Sequence, residues 1–182
     1  MQGLDAGNPN ERLFSTEPFC GILSEVALPE GEPAAFLAAA TRFCNDTLWG
    51  TLNASLIIHP QSEKDAKVAA ALDRALVELR YGTVGINHWA GMGYGLVSMP
   101  WGGHPSSTLA NVQSGIGWVH NTYLLEGIDK AIVRGPLVVK TPHPAWFYDN
   151  KAALEIMKKM VDLEAAPSWL KVAPLAMTAL RG

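Results

Sequence analysis

A chain of 182 residues is long enough to bury a core within one domain, and it is 48% hydrophobic and only 17% charged, below the roughly 25% charge of an average soluble domain. A net charge of −3 supplies no basic field to gather phosphates, so nucleic acid is excluded as a partner class; no apolar run reaches the roughly 20 residues of a membrane-spanning helix, and residues 1–12 lack the basic and apolar regions of a secretory signal. Two cysteines, Cys20 and Cys44, make no disulfide framework, and a reducing cytoplasm is the expected compartment.

Residues 1–16 are polar and broken by Gly3, Gly7 and Pro9, which predicts an irregular lead-in. After Thr16-Glu17-Pro18-Phe19, the run Ile22 to Leu28 reads as a strand stopped by Pro29-Glu30-Gly31-Glu32. Pro33 suits the first turn of a helix, and Phe36, Ala39 or Ala40, and Phe43 recur at helical spacing through Asn45. Gly50 supplies a left-handed turn into the strand 54–58, which His59-Pro60 ends. A cap within Ser62-Glu63-Lys64-Asp65 starts the next helix, whose inner face is Ala69, Leu72, Leu76 and Leu79. Gly82 closes it, and Thr83 to Ile86 form a buried strand that carries Asn87-His88-Trp89 at its C-terminal end, where open α/β sheets bind ligands.

Strand and helix in alternation predict an α/β fold: an open, three-layer-like sheet with mainly parallel strands and crossover helices, plus a helical C-terminal extension. The loop after Trp89 carries Gly91, Gly93 and Gly95. Because Leu96 stands where a dinucleotide fingerprint needs its third glycine, and no helix pattern follows, it reads as a flexible loop. Residues 130–140 read as a last strand, with Pro136 near an edge. A proline- and aromatic-rich strap covers 141–149. An amphipathic helix over 150–163 points Leu154, Met157 and Val161 inward, and a further helix spans 167–180. The expected division is 1–140 and 141–182. With six tryptophans, the shortage of charge reads equally as a well-packed monomer or as a face covered by another chain or by further sequence.

Gly82-Thr83-Val84-Gly85-Ile86-Asn87 followed by Pro100-Trp101-Gly102-Gly103 resembles, in order and separation, the G-T-V-x-I-N strand and P-F-G-G loop of the aldehyde dehydrogenase superfamily, with Trp101 in place of the Phe. Glu17-Pro18-Phe19 is similar to that family's E-x-F, and Cys44 to Leu52 resembles its A-N-D-T/S-x-Y-G-L segment. The resemblance covers about Glu17 to Lys140 and implies the C-terminal part of an NAD- or NADP-dependent catalytic domain. It implies that Glu17 accepts hydrogen bonds from the nicotinamide-side ribose, that Phe19 limits where the ring sits, and that Asn87, His88, Trp89 and Trp101 line the aldehyde channel. In the family a Cys thiolate attacks the aldehyde, hydride passes to the cofactor, and a Glu-activated water releases the acid. That Cys, that Glu and the nucleotide-binding half lie upstream of E-x-F, so the chain is expected to be inactive alone and to need upstream catalytic polypeptide. The strand near 130–140 and the C-terminal arm are expected to pair subunits of a homo-oligomer.

Two departures stand out. Cys20-Gly21 follows Phe19 where the family has Gly-Pro, and residues 104–113 lengthen the connection to Ser114-Gly115-Ile116-Gly117, which is expected to reshape the mouth of the substrate tunnel. Neither cysteine has a neighbour that would activate it as a nucleophile, and Cys44 reads as a buried structural thiol. His59, His88, His104, His120 and His143 have no metal-ligand spacing. A non-catalytic assembly module derived from the same fold and part of an acyl-CoA-linked aldehyde reductase are the alternative readings.

Overall fold

Short helices open the described chain: α1 (Arg12–Ser15), capped by the Glu11 carboxylate on the Leu13 amide, and α2 (Pro33–Asp46), which Pro33 starts as expected. The structure, a computed structural model, describes residues 3–138, 145 and 149–181. It divides into two units, Met1–Leu137 and Val138–Gly182. In the first, Gly50 at φ 111° turns the chain into β1 (Asn53–Leu56). A 3₁₀ turn (Ser62–Lys64) then leads to α3 (Ala66–Glu78), where Asp65 rather than Ser62 is the cap, its carboxylate accepting from the Lys67 and Val68 amides.

β2 (Thr83–Ile86) follows and pairs in parallel with β1, Asn53 opposite Thr83. After it come the single turn α4 (Met92–Gly95) and a two-residue antiparallel pair, β3 (Trp101–Gly102) with β4 (Trp118–Val119). The unit ends in β5 (Ala131–Arg134), parallel to β2 on its other side, so the sheet order is β1-β2-β5. The mixed α/β class and the parallel, crossover-connected strands are as the sequence predicts. Among the described residues the main sheet has three strands, and the chain has six α-helices.

All four residues of β2 are buried, which is what a strand with neighbours on both edges requires. Ile86 joins Leu37 of α2 and Val68, Ala71 and Leu72 of α3 in one apolar cluster, while Val84 packs with Leu79 and Tyr81 in a second. Each fully buried side chain of this size contributes about 1.5–3 kcal/mol. Lys130 ties β5 to the end of α3 by donating to the Val77 and Leu79 carbonyls at 2.7 and 2.6 Å, a cation on a helix C-terminus.

Several expectations need correction. Ile22 to Leu28 is not a strand; a single bridge joins Val26 to Leu4, and Leu23 is exposed, because one bridge does not extend into the ladder that a strand requires. In α2 the buried residues are Leu37, Ala39 and Thr41, so Ala39 of the predicted stripe is inside, while Leu37 rather than Phe36 packs on α3 and Phe36 is exposed. In α3 the inner face is Val68, Ala71, Leu72, Ala75 and Leu79, with Leu76 at its border. The glycine-rich loop is the helical turn α4. None of its glycines has a positive φ, and Gly91 and Gly93 serve close packing, since a Cβ on Gly93 would meet the Thr83 side chain at 2.9 Å and one on Gly91 would overlap the Trp89 ring.

Residues 131–134 of the expected pairing strand are an edge of the chain's own sheet, while Lys140 and most of the 141–149 strap lie outside the described residues. The second unit contains α5 (Ala153–Ala165) and α6 (Trp169–Ala179), the latter capped by Ser168. Lys159 Nζ donates to Thr178 Oγ1 at 2.6 Å and Lys171 Nζ to the Asp162 carbonyl at 2.9 Å, joining the two helices. On α5 the enclosed side chain is Ile156, while Leu154, Met157 and Val161, expected inward, are exposed.

Candidate functional site

Glu17 and Phe19 line one cleft of about 500 Å³. Leu48 to Gly50 with Leu52 and Asn53 form a further wall, and Tyr81, Gln113 and Ser114 complete the lining. The size falls within the roughly 300–1,000 Å³ of small-molecule sites, and the lining mixes polar groups, among them a carboxylate that can accept from hydroxyls, with the apolar side chains of Phe19, Leu48, Trp49 and Leu52. Phe19 is 91% exposed, its ring free to cover a ligand, and the Glu17 carboxylate joins no hydrogen bond or ion pair among the described residues. A carboxylate and an aromatic ring in one cleft are groups that could hold a ribose and a flat ring.

The wall is held by contacts distant in sequence. The Gly50 amide donates to Gln113 Oε1 at 2.7 Å, and the Thr51 amide to Ser114 Oγ at 2.8 Å. Gln113 adopts φ 50°, uncommon for a residue with a side chain, and its Nε2 donates to Asn111 Oδ1 at 3.0 Å. A second, more polar pocket of about 260 Å³ lies behind, lined by Cys44, Arg80, Ser106 and Asn111, and it shares Leu48, Gly50 and Gln113 with the cleft. These residues were not legible as site residues; the only local signal was Gly50.

The four expected channel residues have separate settings. Asn87, at φ 52°, commits both amide atoms to the backbone of Ile58, accepting from its N–H at 2.8 Å and donating to its C=O at 2.9 Å, which continues the sheet contact beyond β1. His88 packs on Gly135, where a Cβ would meet its ring at 2.5 Å, and Trp89 covers Gly91. Trp101 lines a shallow depression with Trp118 and lies edge-on to Tyr94 at 5.8 Å; Tyr94 in turn meets His120 at 5.3 Å. Tyr94 and His120 complete an aromatic group around Trp101 that the sequence reading did not include.

Burial pushes the Cys44 thiol up, which opposes thiolate formation, and the Tyr81 hydroxyl, also raised chiefly by burial, donates to the Cys44 carbonyl at 3.1 Å. Cys20 is exposed, and neither cysteine pairs with a histidine among the described residues. No group of three metal-ligating side chains occurs among them.

His104 closes the loop that follows Gly103. The Ser106 amide donates to its Nδ1 at 3.1 Å, so Nδ1 is unprotonated and Nε2 carries the hydrogen that faces Asp129 Oδ1 at 3.3 Å. Burial holds its pKa below the usual histidine value, Asp129 opposing and Lys130 and Arg80 adding to the depression. The unfolded chain therefore takes up this proton first. Stability is full above the ordinary histidine pKa of about 6.5, and falls with decreasing pH until the lower folded value is passed. His104→Asn keeps an acceptor for the Ser106 amide and removes the titration; urea unfolding at a series of pH values is expected to show the acid-side slope reduced in this variant, and an unchanged slope would assign it to other groups.

Comparison with protein-family models, curated proteins and solved structures finds no match to this chain.

Proposed function

We propose that this chain is the C-terminal part of an NAD- or NADP-dependent aldehyde dehydrogenase-like oxidoreductase that converts an aldehyde to a carboxylic acid. The observation that carries the reading is the meeting of Glu17 and Phe19, the two residues the resemblance assigns to the cofactor, in one cleft shared with Leu48, Trp49 and Leu52. When bound, the cofactor supplies the hydride acceptor. Glu17 orients its ribose, Phe19 and Trp49 exclude water from one side, and Trp101 contributes to the aldehyde channel, while Asn87, His88 and Trp89 support the strand end and loop around it. The settings of Cys20 and Cys44 fit a nucleophile carried by upstream polypeptide.

The same reading makes the three strands a portion of a larger, open, three-layer sheet. Support comes from β1, an edge strand whose Asn53 and Ser55 remain exposed, where a parallel sheet normally has cover. It also makes the protein cytoplasmic and a homo-oligomer that pairs through the 130–140 segment and the C-terminal arm. The exposed apolar side chains of α5 and α6, Trp169 and Leu170 among them, favour a role in assembly, which is also what a non-catalytic module would show.

The test is direct. The purified chain mixed with an aldehyde and either NAD or NADP is expected to produce no reduced cofactor, yet to bind nicotinamide mononucleotide. Turnover by this chain alone would place the nucleophile within it and overturn the reading. Self-association without nucleotide binding would select the assembly module.

A further inference from the structure

The segment 104–113, which lengthens the connection after Pro100-Trp101-Gly102-Gly103, ends in the cleft wall at Gln113 rather than beside Trp101. We infer that Gln113 is a positioning residue of the cleft: its amide latches the Leu48–Gly50 wall at the distance from Glu17 that a ribose-bearing ligand needs. This inference rests on the ribose reading of Glu17 and Phe19.

Three observations combine. Gln113 stands at φ 50°, an excursion that for a residue with a side chain persists only where surrounding contacts fix it, and it meets the chain at Gly50, whose φ of 111° glycine adopts without strain. The fixing contact is one hydrogen bond, Gly50 N–H to Gln113 Oε1 at 2.7 Å, with the neighbouring Thr51 amide held by Ser114 Oγ. The Gln113 amide cannot flip without losing its acceptor, because its Nε2 is engaged by Asn111. Leu48, Gly50 and Gln113 line both the 500 Å³ cleft and the 260 Å³ pocket behind it, so this latch is the partition between the two spaces. With the latch closed, the ligand has a firm wall in the cleft that Glu17 lines. With it open, the two spaces join, and a ligand of one ribose and one ring loses its fit.

Nicotinamide mononucleotide binding by the full chain, measured calorimetrically, tests this with three variants. Gln113→Met keeps the length of the side chain and removes the acceptor; it is expected to weaken binding about tenfold, the loss of one well-placed hydrogen bond. Gln113→Glu retains an acceptor for the Gly50 amide and is expected to stay within about threefold of the parent. In NMR spectra the Gly50 amide should lose its low temperature coefficient in Gln113→Met and keep it in Gln113→Glu. Glu17→Gln is the separate control. If the parent does not bind the mononucleotide, or Glu17→Gln leaves binding unchanged, the ribose reading fails. If Glu17→Gln weakens binding and Gln113→Met does not, the latch alone fails. Should Gln113→Met not fold, Gln113→Leu, which also lacks the acceptor for the Gly50 amide, takes its place with the same expected loss of about tenfold, and an affinity within about threefold of the parent would overturn the inference.

Discussion

Gly82→Ala is expected to destabilise the first unit by roughly 3 kcal/mol or more, the upper end of the cost of forcing an atom into a packed interior. The residue has no unusual φ; what it lacks is room. A Cβ at Gly82 would overlap the carbonyl oxygen of Gly102, and one at Gly102 would overlap the carbonyl oxygen of Gly117. Gly103 repeats the arrangement beside Gly115, whose carbonyl oxygen a Cβ would meet at 2.5 Å. In each case the obstacle is backbone, which cannot rotate aside as a side chain can. Gly82 is also tied on both sides, its N–H donating to the Thr51 carbonyl and its C=O accepting from the Ala131 amide, each at 2.8 Å. Any shift that relieves the overlap therefore loosens β2 from both neighbours. Urea unfolding of the variant should move the midpoint strongly at an unchanged slope, whereas Gly31→Ala, where a Cβ meets nothing within 4 Å, should stay within about 0.5 kcal/mol of the parent. A Gly82 variant as stable as the Gly31 one would mean that the glycine layer does not hold the unit together.

That layer explains how much of the fold could be read in advance. Gly82, Gly102, Gly103, Gly115 and Gly117 recur in the sequence as separate short motifs, and their spacing marks them as special without saying why. At Gly82, Gly102 and Gly103 a backbone carbonyl from another segment stands where a Cβ would go, whereas Gly115 and Gly117, which supply two of those carbonyls, have open space and φ of 112° and 90°. α2 and α3 were legible because a 3.6-residue period survives in any one helix, yet the choice of Leu37 over Phe36 for the inner face depends on where α3 lies. Ile22 to Leu28 failed as a strand for the complementary reason: strand formation is decided by a partner, and that run of residues does not contain one. The site divides in the same way. Glu17 and Phe19 are neighbours in sequence and could be named together. Gln113 and Ser114 reach Gly50 and Thr51 across 63 residues, a contact created by the fold and carried by no local pattern. Asn87 was legible as a polar residue at a strand end, but its use, clamping the Ile58 backbone, required the neighbouring strand to be in place.

Glu17→Gln is expected to weaken nicotinamide mononucleotide binding by roughly 10- to 100-fold, the range for removing the charge from a hydrogen bond worth about 1.5–3 kcal/mol. The substitution preserves shape and one acceptor atom, so it isolates charge. A carboxylate can accept from both hydroxyls of a vicinal diol at once, whereas an amide offers a single oxygen and turns an N–H toward the second hydroxyl. Because Glu17 is exposed and joins no internal hydrogen bond or ion pair among the described residues, the variant should unfold at the same urea concentration as the parent. Stability unchanged and affinity reduced is the signature of a ligand contact. The diol itself provides the second half of the test: a 2′-deoxyribose analogue should bind the parent more weakly than the ribose compound and should bind Glu17→Gln with little further loss, since the two changes remove the same interaction. Phe19→Ala, which strips the ring from the same cleft, should weaken both ligands alike, because it removes apolar cover and leaves the diol contact standing. If the deoxy and ribose compounds are bound equally well by the parent, Glu17 is an exposed surface carboxylate and the cleft belongs to some other ligand.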